Sequence, residues 1–220
     1  MYRQLGEALA AADAAADVRA VLLHGTRECF SAGNDLADFL KPRGPDEESP
    51  ATALFRTLPV MRKPVVAAAA GPAIGIGCTL LLHCDLVYAG ENARFQLPFV
   101  PLGIVPEFGS TLLLPLLAGY QRAAELLLLG EPFSAEQARE AGIVNAVVPS
   151  AEVLEIAERK ARALAALPPE SVRLTKALLK ATQRGALETR IAEESRLFAE
   201  RLASPEAKAA MSAFLEKRKA

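Results

Sequence analysis

Val65-Val-Ala-Ala-Ala-Ala-Gly71-Pro-Ala-Ile-Gly75-Ile-Gly77-Cys-Thr-Leu-Leu-Leu-His83-Cys-Asp85-Leu-Val-Tyr-Ala89 changes element type twice within one short segment. Val65 to Ala70 is apolar at every position, the pattern of a strand buried on both faces. Gly71-Pro72 breaks it. Ile74-Gly-Ile-Gly77 then opens an apolar helix through His83, and Asp85 to Ala89 reads as the next strand. Strand, helix and strand in so little chain imply a parallel or mixed sheet with helices packed on it, an α/β architecture.

Outward from this segment the same alternation continues. Met1 to about Ala15 is predicted as a helix with Leu5 and Leu9 on one face, and Arg19 to His24 as a short buried strand ending at Gly25. A small-residue loop, Ser31-Ala-Gly33-Asn34-Asp35-Leu36, follows. Lys41 to Pro50 is polar and rich in Pro and Gly, the composition of a mobile surface loop, and Ala51 to Met61 is again helical. Toward the C-terminus, Ser134 to Gly142 is a capped helix ending in glycine and Ile143 to Val148 a final strand. From Ser150 onward the pattern is helical throughout. The chain is therefore divided into an αβ core, residues 1–149, and a helical region, residues 150–220. Leu187, Ile191, Phe198 and Leu202 form one apolar stripe there, and Met211, Phe214 and Leu215 another; such stripes serve cores or subunit interfaces.

Composition removes several function classes. The 220 residues are 51% hydrophobic and only 5% aromatic, with a net charge of -1, which fits a helix-rich globular chain with one sizeable core. Lys and Arg are dispersed, so no nucleic-acid partner is expected. No apolar run reaches membrane-spanning length and no signal-like start is present, so the expectation is a cytoplasmic protein without a membrane partner. Cys29, Cys78 and Cys84 lack zinc spacing and read as reduced packing residues; no metal site is expected. His24 and His83 read as structural.

Glu107 is the only charged side chain between Arg94 and Arg122. A carboxylate among Ile104, Val105, Pro106 and Phe108 loses water, which raises its pKa toward the range of a working acid/base. The competing reading is that Glu107 caps a helix running from Phe108 or Gly109 into Leu112-Leu-Leu. The glycines at 71, 75 and 77 match a dinucleotide-binding turn poorly, since Pro72 interrupts the loop and the third glycine is misplaced. They either let the backbone approach a ligand, with free N–H groups at a helix start, or merely permit tight packing. The Ser31–Asp35 loop offers a second set of N–H donors. Two donor loops and one desolvated base suit stabilisation of a thioester enolate during proton transfer at the neighbouring carbon.

Cys29-Phe-Ser-Ala-Gly-Asn-Asp-Leu36, Lys63 to Gly77, Cys84-Asp85 and Ala138 to Val148, in that order, resemble the enoyl-CoA hydratase/isomerase family, the crotonase superfamily. The resemblance implies a crotonase-type spiral of ββα units with a C-terminal α-helical trimerisation region, and a homotrimer or dimer of trimers. It implies oxyanion donors at the N–H groups of Asn34 and Ile76. An acyl-CoA would be bound by Ser31, Ala32, Gly33, Asp35 and Leu36, with Gly75, Thr79, Phe99 and Leu102 near the reacting carbons, and with Phe214 and Lys217 reaching CoA, often in a neighbouring subunit. Coenzyme A enters as substrate thioester; no further cofactor is implied.

Departures from the family pattern narrow the reaction. The two glutamates that flank water in the hydratases are replaced by Thr79 and Phe99, while a glutamate stands at Val-Pro-Glu107, where the Δ3,Δ2-enoyl-CoA isomerases of this superfamily keep a single base. The expectation is thus an isomerase of fatty acid β-oxidation type with Glu107 as the acid/base. Alternatives are another crotonase reaction, such as acyl-CoA hydrolysis, decarboxylation or weak hydration, and a non-catalytic CoA-binding protein. The β-hairpin that family members carry before the first helix is expected to be missing, leaving a sheet edge open.

Overall fold

The computed structural model describes residues 1–39 and 49–217, the side chain of Lys217 excepted. Most of the loop expected at 41–50 lies outside the described residues. In chain order, helix α1 (Tyr2–Ala14) leads to β1 (Val21–His24), the single turn α2 (Leu36–Phe39) and α3 (Thr52–Thr57). Then come β2 (Val65–Ala69), β3 (Pro72–Ile74), α4 (Ile76–Thr79), β4 (Leu86–Gly90) and β5 (Arg94–Gln96). Helices α5 (Ser110–Ala118) and α6 (Tyr120–Ala124) precede β6 (Phe133–Ser134), α7 (Ala135–Glu140) and β7 (Ala146–Val148). The remainder is α8 (Val153–Ala166), α9 (Pro169–Ala181), α10 (Arg184–Leu202) and α11 (Pro205–Lys217).

Two sheets result. The larger runs β1-β2-β4-β7, parallel throughout, and the smaller runs β3-β5-β6 with β5 and β6 antiparallel. The alanines of β2 explain how the larger sheet is covered on both faces. Alternate side chains of a strand point to opposite sides. Val65, Ala67 and Ala69 accordingly join the main core with Leu54, Leu58 and Leu81, while Val66 and Ala68 join a second cluster with Val153, Ala157 and Ala161 of α8. Small side chains on strand and helix let the backbones approach closely.

The helix predicted from Ile74 through His83 is shorter than expected. It comprises α4 and a 3-10 turn at Leu80–His83, and the strand halted at Gly71 resumes at once as β3 in the other sheet. Strands of two or three residues such as β5 and β6 are too short to show a period. Helix α7 is capped as its sequence predicts: Ser134 Oγ accepts from Gln137 N–H, and Gln137 Oε1 accepts from Ser134 N–H.

The C-terminal helices are bolted to the core by buried polar contacts. Lys176 of α9 donates to Asp85 Oδ2 at 2.7 Å and to the Lys63 carbonyl at 2.7 Å, and the same Asp85 oxygen accepts from Val65 N–H. Lys180 donates to the His83 carbonyl. Removing Asp85 leaves the buried Lys176 ammonium uncompensated, at a cost approaching the loss of about 3–5 kcal/mol for a broken buried pair. Much of the apolar stripe on α10 is used within the chain, where Ile191, Phe198 and Leu202 pack on the main core and Phe198 meets Phe39 edge-on. Met211 is buried, whereas Phe214 is exposed.

Candidate active site

Two loops meet beside β3. Ser31 donates its N–H to the Pro72 carbonyl at 2.9 Å, and its own carbonyl accepts from Ile74 N–H at 2.9 Å, so the Ser31–Leu36 loop is stitched to the strand that leads into α4. Ser31 Oγ accepts from Gly33 N–H and lies 3.4 Å from the Tyr2 hydroxyl. Gly75 adopts φ 55° and ψ -119°, and a Cβ built there would meet nothing within 4 Å. Glycine is needed for this backbone conformation, not for packing. Ile76 is the first residue of α4, so its N–H has no intrahelical acceptor, while its side chain is buried in the core. Asn34 and Leu36 are half-buried and Ala32 and Asp35 exposed. Asp35 is occupied locally: its Oδ1 accepts from Ala37 N–H at the start of α2.

The other half of the site is the turn before α5. Glu107 is buried, and burial pushes its carboxyl up to about 8, with the charge of Glu194 adding to the rise. Among the described residues two buried side-chain oxygens are without a hydrogen-bond partner, Glu107 Oε1 and Thr79 Oγ1. Phe99 and Leu102 are buried in the main core with Thr79 equally enclosed, so all three line apolar interior.

The helix-cap reading of Glu107 is overturned by the geometry. The carboxylate that caps α5 belongs to Glu194 of α10. Its Oε2 accepts from Gly109 N–H at 2.5 Å, and its Oε1 from Thr111 N–H at 3.0 Å and Thr111 Oγ at 2.6 Å. Glu107 contributes only its carbonyl, which accepts from Ser110 N–H and Oγ. A buried acid that neither caps nor pairs has no structural reason to be an acid.

His83 supports the same turn. Burial pushes its ring down to about 3, so it is neutral, and Nε2–H donates to the Phe108 carbonyl at 2.7 Å while the ring stacks on Phe108 at 4.0 Å. Phe108 also stacks on Phe55. His83 was expected to be structural, and it is so in a place that matters for the site. Glu194 and Tyr2 were not singled out from the sequence. Glu194 had a visible signal: it is an acid between Ile191 and Phe198 on the apolar stripe of α10, where helical spacing turns it inward.

The remaining site candidates are dispersed. Phe214 on α11 is 43% exposed, and the Lys217 side chain lies outside the described residues. Cys78 and Cys84 are free thiols pushed up to about 12 by burial, which makes them unreactive. No group of three or more His, Cys, Asp or Glu placed to hold a metal occurs among the described residues, nor any helix long and apolar enough to cross a membrane.

Parallel strands, two glycine-shaped turns and a buried unpaired acid are the features of an acyl-CoA enzyme of the crotonase fold, the class to which comparison with known proteins assigns the chain. The enoyl-CoA hydratase/isomerase family model matches residues 1–220, and the chain belongs to that family. It is 37% identical over 219 residues to a 2,3-dehydroadipyl-CoA hydratase of Escherichia coli, covering 99% of this chain and 86% of the relative. It is also 37% identical over 227 residues to a 1,2-epoxyphenylacetyl-CoA isomerase of the same organism, covering 99% and 86%. Among solved structures, OdaA of Pseudomonas aeruginosa superposes with a TM-score of 0.92 at 50% identity, covering 97% of this chain and 87% of that one. Hydratases and isomerases thus both stand among its relatives.

Proposed function

We propose that the chain is a Δ3,Δ2-enoyl-CoA isomerase with Glu107 as its single acid/base. The observation that carries the reading is the buried, partnerless Glu107 Oε1, in a chain that has Thr79 and Phe99 where hydratases of the family have their glutamates. Glu107 as carboxylate takes a proton from C2 of a 3-enoyl-CoA. The C–H electron pair delocalises over the thioester and the C3–C4 double bond as a dienolate, and the acid returns the proton to C4, giving the 2-enoyl product. The N–H groups of Asn34 and Ile76 hold the developing oxyanion, which such preorganised donors stabilise most where water is excluded. One carboxyl suffices because no water is added.

In this reading Ser31 to Leu36 bind the CoA moiety, the apolar walls at Thr79, Phe99 and Leu102 receive the acyl chain, and no metal or redox cofactor takes part. Assembly as a homotrimer or dimer of trimers, with Phe214 and Lys217 completing a neighbour's CoA site, is part of the proposal and is supported by the exposed Phe214. A cytoplasmic location is proposed with it. The test is to incubate purified protein with 3-enoyl-CoA and with trans-2-enoyl-CoA. Formation of trans-2-enoyl-CoA from the first substrate, with little hydration of the second, is the expected result. Hydration matching or exceeding isomerisation would favour the alternative that the hydratase relatives raise.

A further inference from the structure

The turn that carries Glu107 is left-handed at two consecutive residues, Phe108 with φ 63° and Gly109 with φ 73°. Such a conformation costs a bulky side chain roughly 1–2 kcal/mol and persists only where surrounding contacts determine it. Three sets of contacts do so. Ser110 Oγ donates to the Glu107 carbonyl, His83 donates to the Phe108 carbonyl, and Glu194 accepts from Gly109 and Thr111. A Cβ at Gly109 would stand 2.3 Å from Leu187 Cδ1, so α10 presses directly on the turn it grips. Of the three contacts only Glu194 brings a charge, because His83 is neutral.

We propose that Glu194 is a positioning residue for the acid/base: its grip on Gly109 and Thr111 fixes the direction of the Glu107 carboxyl. The same grip holds an acid against the turn, and its charge adds to the burial that keeps the Glu107 proton on. The groups facing this pair are Tyr2, which senses the charge of Glu107, His83 against Phe108 with Lys180 behind it, and Arg190, which donates to Thr111 Oγ and pairs with Glu193. Burial holds Glu194 itself above the usual carboxylate range, against the pull of its hydrogen bonds and of Arg190. Two bound donors on one oxygen and a third on the other pull the other way, toward the acceptor form. The kinetic part of this inference rests on the isomerase reading; the protonation part does not.

Two substitutions weight charge and grip differently. Glu194→Gln removes the charge and keeps only one of the two acceptor oxygens, whereas Glu194→Asp keeps the charge and both oxygens and shortens the reach. Infrared titration of the protonated Glu107 carboxyl, assigned by its loss in Glu107→Gln, reads protonation without turnover. Glu194→Gln is expected to move that titration, and the rising limb of kcat/KM, to lower pH. Glu194→Asp is expected to leave the titration within reach of wild type while kcat falls about 10- to 100-fold with little change in KM, the effect of a misplaced catalytic group. If Glu194→Gln does not fold, Thr111→Val removes one of the three donors and should lower kcat several-fold alone. A folded Glu194→Gln with an unmoved titration, or a Glu194→Asp with wild-type kcat, overturns the inference. Absence of isomerase turnover with the titration still shifted would sink the reaction assignment and leave this inference standing.

Discussion

The Ser31–Leu36 loop and the Gly75–Ile76 turn, on one side, and the Glu107 turn, on the other, are built in opposite ways. The loops are made of backbone, Ser31 tied to β3 and Gly75 N–H to the Gln96 carbonyl at the end of β5 by main-chain hydrogen bonds, and the Ile76 side chain turns away into the core. The Glu107 turn is made by side chains, one from His83 and one from Glu194, the latter 85 positions from the Gly109 N–H it accepts from. A backbone device tolerates side-chain change and fails when an N–H is lost. A side-chain device fails when any of its distant members changes.

The largest expected effect lies on the side-chain half. Glu107→Gln should lower isomerase kcat by about two to four orders of magnitude with acyl-CoA binding retained; near wild-type turnover would remove Glu107 from the reaction. Next is the backbone half. Ile76→Pro deletes the N–H at a first helical position that proline accommodates, and should lower kcat by about 100- to 1000-fold. Ile76→Val should keep turnover and cost only ~1 kcal/mol of stability. Equal losses in the two Ile76 variants would mean that the side chain, not the N–H, matters there.

The pH dependence sharpens the same contrast. With Glu107 pushed up to about 8, its base form is scarce at lower pH, so kcat/KM should rise roughly tenfold per pH unit below pH 7 and level off above pH 8. Stability follows the opposite sign. The folded chain holds the Glu107 proton between the ordinary carboxylate range and about 8, where the unfolded chain does not, so this group subtracts stability as pH rises through that window. Glu107→Gln should therefore be more stable than wild type by a few kcal/mol near pH 9, roughly 1.4 kcal/mol per pH unit of window, and by little near pH 5. Denaturant titrations at both values check this.

The smallest effect concerns His83. Its ring is neutral when folded and takes a proton when unfolded below about pH 6.5, so its contribution falls as pH drops from there toward 3. His83→Gln should flatten that acid limb of the stability curve and cost about 1–3 kcal/mol near pH 7 if the Phe108 carbonyl is left without a donor. An unchanged limb would place the ring's protonation elsewhere.

What could be read from the chain alone follows the range of the forces involved. β2, β4 and α7 were legible because burial on both faces and a capping box write themselves into consecutive residues. β3, β5 and β6 were not, since each is defined by a partner strand and not by a period of its own. The isolation of Glu107 between Arg94 and Arg122 singled it out. Whether it capped α5 turned on Glu194, far along the chain. That acid is legible only as an interruption of an apolar stripe, and the sequence leaves the stripe open between core and interface because the core it packs on is assembled from residues long before it.

Helices α9 and α10 contribute Lys176 to Asp85 and Glu194 to the Glu107 turn, and this bears on recombination. A hybrid chain spliced near residue 150, with its tail from a relative, would exchange Glu107's electrostatic partner and the counter-ion of Asp85 in one cut. Transferred acyl-chain preference would then be confounded by an altered proton affinity at Glu107. A productive crossover would carry the Glu107 turn and α10 together as one inherited block, although α8 and α9 lie between them in sequence.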